Sequence, residues 1–197
     1  LIRLSLGLLQ KEQSTQFYSC DQILSKEEQR SLMQKRLNEI FVWFCETAFH
    51  TDEEIGWIGL RFTETEKWNM VPTGMQLYDG LSGIAVFLAA YQKEFADTAS
   101  ADLLEKVKRR LFVYTDMERS PEDKNGKNGM MEGGSSIAAA YLMLYEITGE
   151  MDYLRYAEKQ FQKVEDLCGQ SDDYMGGRAG QLLLALKLYK NIENKQY

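Results

Sequence analysis

The sequence predicts an all-α protein, an α/α-toroid in which an inner ring of helices is wrapped by an outer ring. Three glycine turns each introduce a helix that is apolar on nearly every side. Their first glycines, Gly80, Gly133 and Gly177, lie 53 and 44 residues apart, which suits one helical hairpin per repeat. Amphipathic helices alternate with the apolar ones. Because an all-round apolar helix has to be buried on every side, the two kinds are expected to form separate layers.

The amino-terminal half is expected to contain a capped helix, an ordered loop and the central apolar helix. Ser25 and Glu28 form a capping box ahead of apolar residues at three- and four-residue steps, which indicates an amphipathic helix over 25–49. Residues 51–74 contain glycines and a proline between aromatic anchors, and we predict an ordered loop packed on the helices. The apolar helix 80–92 follows.

The rest of the chain repeats the alternation. Asp79 and Asp152 are placed to cap helices, and Gly149 is placed to end one. The further predicted helices cover 100–115, 134–147, 152–168 and 178–190. The sequence therefore predicts an incomplete toroid of about three helical hairpins, with an open array of three hairpins as the competing architecture.

Composition excludes several classes of protein. The chain has 197 residues, a net charge of -7 and a pI near 4.9, which argues against a nucleic-acid partner. No apolar run approaches the roughly 18 residues of a membrane span. Cys20, Cys45 and Cys168 are odd in number and widely spaced, so we expect no disulfide framework and a cytoplasmic location. The chain begins without Met and in mid-pattern, and we expect it to be a fragment.

One stretch carries a family resemblance. Residues 77–89, from Leu-Tyr-Asp-Gly-Leu-Ser-Gly onward, closely resemble the first repeat signature of LanC-like cyclase domains. The second signature has Ser136 where that family usually has glycine, and the third, 173–180, fits apart from Arg178. The segment that begins Trp57-Ile58-Gly59-Leu60 is similar to the class II form, the bifunctional lanthipeptide synthetases.

The resemblance implies a domain organisation and a reaction. Residues 1–30 would be the junction from an upstream dehydratase-like region, and 31–197 the amino-terminal half of the cyclase domain. The family's dehydratase converts Ser and Thr of a precursor peptide to dehydroamino acids, and its cyclase adds Cys thiols to them. The products are lanthionine thioether rings. The precursor peptide is therefore the expected partner.

The resemblance also implies a catalytic zinc, bound in the complete family domain by two cysteines and one histidine. Those ligands belong to repeats after the third, and the sole histidine here, His50, lies at the end of a predicted outer helix. Cys45 and His50 are five residues apart and do not share a helical face. We therefore expect no metal bound by this chain, which alone would be inactive, and zinc in the complete domain.

Site residues follow from the third signature. Asp173 matches the family's aspartate that assists the active-site histidine, and a helix cap is its alternative role. Arg178 is a candidate for contacting substrate, with a surface arginine as the alternative. The predicted structural glycines are Gly80, Gly83, Gly133, Gly177 and Gly180.

Two other functions stay open at this point. A glycoside hydrolase with the same architecture would need two carboxylates at the mouth of the ring, and Asp79, Glu132 and Asp173 all lie near inner-helix starts. A non-enzymatic helical-repeat scaffold could instead bind a peptide in its groove. In either case, apolar helix flanks left exposed by a half-toroid predict self-association.

Overall fold

The computed structural model describes residues 24–51, 54–62, 67–117, 127–164 and 171–193. Predictions for residues 1–22, for Cys168 and for most of the polar tail lie outside this part. The chain divides into two compact units, one ending at Glu39 and the other beginning at Ile40. The three repeats belong to the second unit.

The described part of the chain is mainly helical, and the all-α prediction is confirmed. The helices are α1 (Lys26–Thr47), α2 (Leu81–Phe95), α3 (Thr98–Asp116), α4 (Gly134–Thr148), α5 (Met151–Val164) and α6 (Arg178–Glu193). Four short strands separate α1 from α2: β1 (Phe49–His50), β2 (Ile55–Gly56), β3 (Ile58–Phe62) and β4 (Trp68–Pro72).

The apolar and amphipathic helices occupy two layers, in the alternation that the sequence predicted. Helix α4 packs against α2 on one side and α6 on the other, so the three glycine-led helices form one row. Helices α3 and α5 pack against α2 and α4 respectively and also contact each other, which makes the second row. Two successive hairpins, α2–α3 and α4–α5, therefore stack side by side. Closure into a ring remains a prediction.

Helices α4 and α6 of the first row differ in how fully their side chains are buried. In α4 every residue from Ser135 to Leu142 is buried, as an all-round apolar helix requires. In α6, Leu184 and Leu188 are buried, but Leu182 is 63% exposed and Leu186 58% exposed. The prediction that all three glycine-led helices are buried on every side is therefore wrong for α6, which has one packed apolar face and one open apolar face.

Helix α1 begins at the predicted capping box. The Ser25 backbone N–H donates to Glu28 Oε2 at 2.8 Å, and the Glu28 N–H donates to Ser25 Oγ at 3.2 Å. The predicted apolar stripe is only partly buried, because Met33 is 68% exposed. In the second unit Phe41 is buried and stacks on Tyr91 of α2, with ring centroids 4.4 Å apart.

The segment predicted as an irregular loop contains strands instead. β3 and β4 form an antiparallel pair with Ile58 opposite Pro72, and β1 pairs with β2. Aromatic and branched residues favour a pleated strand, and Pro72 occupies the strand's last residue, where a missing N–H is tolerated. Gly56 and Pro72 are the last residues of their strands and Gly59 pairs with Val71 inside β3, so the loop prediction was wrong.

Two predicted caps were also wrong. Helix α2 has Gly80 as its N-cap and no side-chain cap bond, so Asp79 does not cap it. Asp152 lies inside the first turn of α5, which begins at Met151. Asp97 caps α3 instead, where its carboxylate accepts the Ser100 N–H at 2.7 Å. The C-cap prediction for Gly149 is confirmed, since its N–H donates to Tyr145 O at 2.8 Å with a φ of 77°.

Candidate functional site

The three glycine turns lie side by side at one end of the first row of helices. We call the loops 74–80, 127–133 and 171–177 turn 1, turn 2 and turn 3, and the surface they form the glycine-turn end. The Tyr78 N–H of turn 1 donates to Met131 O of turn 2 at 3.1 Å. The Met130 and Met131 N–H groups of turn 2 donate to Tyr174 O and Met175 O of turn 3, at 3.1 and 2.9 Å. The turns therefore form one hydrogen-bonded backbone ladder.

Each turn closes against its own backbone six residues upstream. A Cβ at Gly80, Gly133 or Gly177 would lie closer than 3.0 Å to the carbonyl oxygen of, respectively, Gly74, Lys127 and Ser171. The second glycines of turns 1 and 3, Gly83 and Gly180, approach the carbonyl oxygens of Leu77 and Tyr174 in the same way. Close backbone approach, more than unusual torsion angles, explains why the repeat uses glycine there, and Gly133 alone of these glycines also has a positive φ, of 80°.

Ser136 takes the place of the second glycine in turn 2. Its hydroxyl donates to Gly133 O at 2.6 Å and accepts the buried Leu77 N–H of turn 1 at 3.3 Å. The departure from the family signature therefore supplies a side-chain bond between two turns. The polar substitution is satisfied in the core, as buried hydroxyls require.

Asn128 is a residue that the sequence reasoning missed. It is buried, and its side-chain oxygen accepts the Ser135 N–H at the start of α4 at 2.8 Å while its amide donates to Val164 O at 2.9 Å. The amide thus holds turn 2 to both α4 and α5. An asparagine followed by glycine is typical of an exposed turn, and only the long-range partners of Asn128 distinguish it from one.

Asp173 lies in turn 3 and is exposed. Its Oδ1 accepts the Gly176 N–H at 2.9 Å, and its other oxygen bonds the Ser171 hydroxyl. These bonds from Ser171 and from the turn's backbone N–H groups lower the pKa of the Asp173 carboxyl. Because α6 begins at Arg178, the carboxylate stabilises the turn itself and is not a helix N-cap.

Arg178 is the first residue of α6 and does not pair with Asp173. Its Nε lies 2.7 Å from Asp172 Oδ1, and both side chains are more than half exposed. The arginine that departs from the family signature is therefore engaged in a solvent-exposed ion pair at the edge of turn 3.

A lysine at the centre of the glycine-turn end was not predicted. Lys127 Nζ lies 2.8 Å from Glu132 Oε2, both in turn 2. The hydrogen bond to Glu132 raises the pKa of Lys127 most, and the charges of Asp173 and Asp79 raise it further. Gly176 leaves room for this pair, because a Cβ there would lie 3.3 Å from Glu132 Oε2. The three carboxylates named from the sequence thus all act on one ammonium group, Glu132 through a hydrogen bond and the other two through their charges.

The described residues do not fit a zinc site. No group of three His, Cys, Asp or Glu side chains in the ranges listed above is close enough to hold a metal ion. His50 lies in the exposed strand β1. Burial, assisted by the charge of Asp97, raises the pKa of the Cys45 thiol, the opposite of what a thiolate ligand needs. No chemical step through a metal is therefore assigned to these side chains.

The fold and the glycine-turn end define a helical-repeat protein whose inner helices all begin at one surface. Residues 71–197 match the family described as lanthionine synthetase C-like protein. The chain therefore belongs to the lanthionine synthetase C-like family, which confirms the resemblance seen in residues 77–89. A comparison with curated proteins finds no match. None of the described helices is long and apolar enough to cross a membrane.

Proposed function

We propose that this chain is the amino-terminal part of the cyclase domain of a class II lanthipeptide synthetase. The observation that carries the proposal is the family match over residues 71–197, which spans all three hydrogen-bonded glycine turns. The class II context and the boundaries at 1–30 and 31–197 rest on the resemblance around Trp57. The substrate would be a dehydrated precursor peptide.

The proposed reaction is an addition that needs no oxidant. A cysteine S–H bond breaks, a C–S bond forms at the β-carbon of a dehydroamino acid, and the α-carbon gains a proton. Atoms balance within the peptide, so its mass does not change. In the complete domain we expect zinc to activate the thiol, bound by ligands other than the described residues of this chain.

The glycine-turn end is the proposed peptide-facing surface of this part of the domain. Three inner helices begin there, so the positive ends of their dipoles favour carboxylates. Lys127 adds a cation that Glu132 holds in place. Within the proposal, Asp173 orients an acid/base group of the complete site, and Arg178 contacts the peptide after leaving Asp172.

The test is a cyclisation assay on the full-length protein with a dehydrated, thiol-containing precursor peptide. Because ring closure leaves the mass unchanged, free thiols are counted by alkylation and mass spectrometry. Loss of alkylatable thiol that stops on zinc chelation and returns with added zinc supports the proposal. Unchanged thiol content with zinc present contradicts the cyclase function.

The role of Asp173 has a control in Asp102, an exposed carboxylate on α3 outside the glycine-turn end. We expect Asp173→Asn to slow ring closure at least tenfold and Asp102→Asn to slow it less than twofold, while both fold normally. If Asp173→Asn lowers the urea midpoint and leaves the rate of the folded fraction unchanged, Asp173 only stabilises its turn.

Carboxylates lie where a glycosidase would need them, but their environment does not suit a general acid. A glycosidase needs one carboxyl group with a raised pKa to act as general acid. Glu132 is ion-paired with Lys127, and the pKa of Asp173 is lowered by its turn bonds. Asp173 is thus held ionised, the opposite of what a general acid needs. The scaffold alternative predicts that a precursor peptide binds without thiol loss, which the same assay would detect.

A further inference from the structure

A second cavity lies away from the glycine-turn end. Its volume is about 340 Å³, and it is formed by the strands β1, β2, β3 and β4 together with Arg110 of α3. Pockets that bind small molecules typically start at about 300 Å³. The residues that line the cavity include none of turns 1 to 3. A ligand bound there would therefore not compete for the proposed cyclase surface.

Arg110 is the charged group that defines this cavity. Its guanidinium is half-buried, and Nη1 donates to Ile55 O of β2 at 2.6 Å. Gly56 permits this approach, because a Cβ there would lie 2.9 Å from Nη1. The side chain is therefore positioned by the backbone, and a guanidinium has four further N–H donors.

The pairing of Arg110 differs from that of the two lysines on the same helix. Lys106 pairs with Asp102 at 3.1 Å, and Lys108 pairs with Glu150 at 2.8 Å. Within the described ranges, Arg110 has no carboxylate oxygen within 4.0 Å. In a chain of net charge -7, a half-buried guanidinium that has no acidic partner among the described residues is suited to a ligand anion.

The walls indicate what the anion is attached to. Trp57 is 5% exposed, and its indole N–H is already donated to Phe44 O at 3.0 Å, so it contributes a fixed apolar surface. Phe49 and Pro72 add further apolar area. A ligand with an aromatic or branched apolar body would mainly cover Phe49, which is 47% exposed, and would remove that surface from water.

The rim argues for a single negative charge. Glu54 and His50 line the cavity and are both exposed. A carboxylate on the rim repels a dianion such as phosphate about twice as strongly as it repels a monoanion. A planar monocarboxylate also matches the fork of a guanidinium, which binds it through two parallel hydrogen bonds.

We propose that this cavity binds a monocarboxylate carried on an apolar body, with Arg110 bonding the carboxylate and Trp57 and Phe49 contacting the body. Two sources share that chemistry: a free apolar amino or aromatic acid, and the carboxyl terminus of a peptide that ends in an apolar residue.

The test uses N-acetyl-phenylalanine and its uncharged amide as paired probes, with binding to the chain followed by calorimetry and by the indole N–H signals of the tryptophans in NMR. We expect the acid to bind at least tenfold more tightly than the amide and to shift the Trp57 signal. Equal affinity of acid and amide would overturn the proposal. A tetrapeptide ending in phenylalanine distinguishes the two sources of the carboxylate. If the tetrapeptide binds more tightly than N-acetyl-phenylalanine, the site is assigned to a peptide carboxyl terminus. If it binds more weakly, the site is assigned to a free acid.

The variants have matched controls on the same helix. Arg110→Gln should weaken binding of the acid at least tenfold, whereas Arg109→Gln removes the same charge from an exposed neighbour and should change it less than twofold. Glu54→Gln should tighten binding. Equal effects of the Arg109 and Arg110 variants would overturn the site assignment. If Arg110→Gln does not fold, Arg110→Lys, which keeps the charge but loses the fork, should weaken binding in the folded chain.

Discussion

Replacing Gly180 by alanine tests the backbone ladder that joins the glycine turns. In an ordinary helix this change is stabilising by about 1 kcal/mol, because alanine has the higher helix propensity. Here the new Cβ would lie closer than 3.0 Å to Tyr174 O and to Met130 N. These two atoms are bonded to each other across turns 2 and 3 at 3.1 Å. The methyl group can therefore be accommodated only by separating the two turns.

The expected size follows from three contributions. Overpacking against backbone destabilises by about 1–3 kcal/mol, and the broken hydrogen bond contributes about 1 kcal/mol more. The helix propensity of alanine offsets about 1 kcal/mol. We expect Gly180→Ala to lower the free energy of unfolding by about 1–3 kcal/mol. For a chain of this size that corresponds to a Tm lowered by roughly 2–12 °C.

The assay is urea unfolding followed by far-ultraviolet circular dichroism, with Gly59→Ala as the matched control. A Cβ at Gly59 would meet only Thr73 Oγ1, at 3.9 Å, so this variant should be unchanged or slightly stabilised. If Gly180→Ala is as stable as the parent chain, the turns are not in backbone contact and the proposed surface is incorrect.

Three further predictions concern single side chains. The buried hydroxyl of Tyr153 has no hydrogen-bond partner in the described part of the chain. In urea unfolding, Tyr153→Phe should therefore leave the free energy of unfolding unchanged or raise it by up to about 1 kcal/mol. If the variant lowers it by more than about 1 kcal/mol, the hydroxyl has a partner. Burial raises the pKa of the Tyr153 hydroxyl, so above about pH 10 the folded state keeps a proton that the unfolded state releases. The free energy of unfolding should therefore be independent of this group below about pH 10 and fall above it. The fall should be less steep in Tyr153→Phe. Ser136→Ala leaves the buried Leu77 N–H without its acceptor and should destabilise by about 1–3 kcal/mol, whereas no change in the urea midpoint would mean that water replaces the hydroxyl. Exposed Leu182 and Leu186 predict self-association, which sedimentation should detect in the parent chain and find reduced in Leu186→Glu; a monomer at all concentrations contradicts it.

The sequence predicted the layers because burial determines helix composition directly. A helix such as α4, with Ile137 and its neighbours apolar on all sides, has no stable position at a surface. The capping box at Ser25 and the C-cap at Gly149 were predictable for a similar reason, since each depends on residues at most five positions apart. Local chemistry of this kind is fully contained in the sequence.

The strands and the centre of the site were not predictable in this way. The pairing of Ile58 with Pro72 depends on a partner 14 residues away, and single glycines in that segment read as loop. Lys127 lies in a polar loop with turn residues, where a cation has no distinguishing local signal. Its position beside Glu132, Asp79 and Asp173 arises only when three turns are stacked by backbone bonds.

At the glycine-turn end, the helix dipoles account for the acidic residues but not for the lysine. Three helix N-termini at one surface attract carboxylates whether or not a reaction occurs there, so Glu132 and Asp173 have a structural reason to be present. Lys127 has no such reason, because an ammonium group is disfavoured beside helix N-termini. Lys127→Met should therefore lower stability by no more than about 1 kcal/mol, the contribution of an exposed ion pair, and still weaken precursor-peptide binding in the full-length protein, with the exposed Lys187→Met as control. A stability loss without an effect on binding would show that the lysine only neutralises its neighbours.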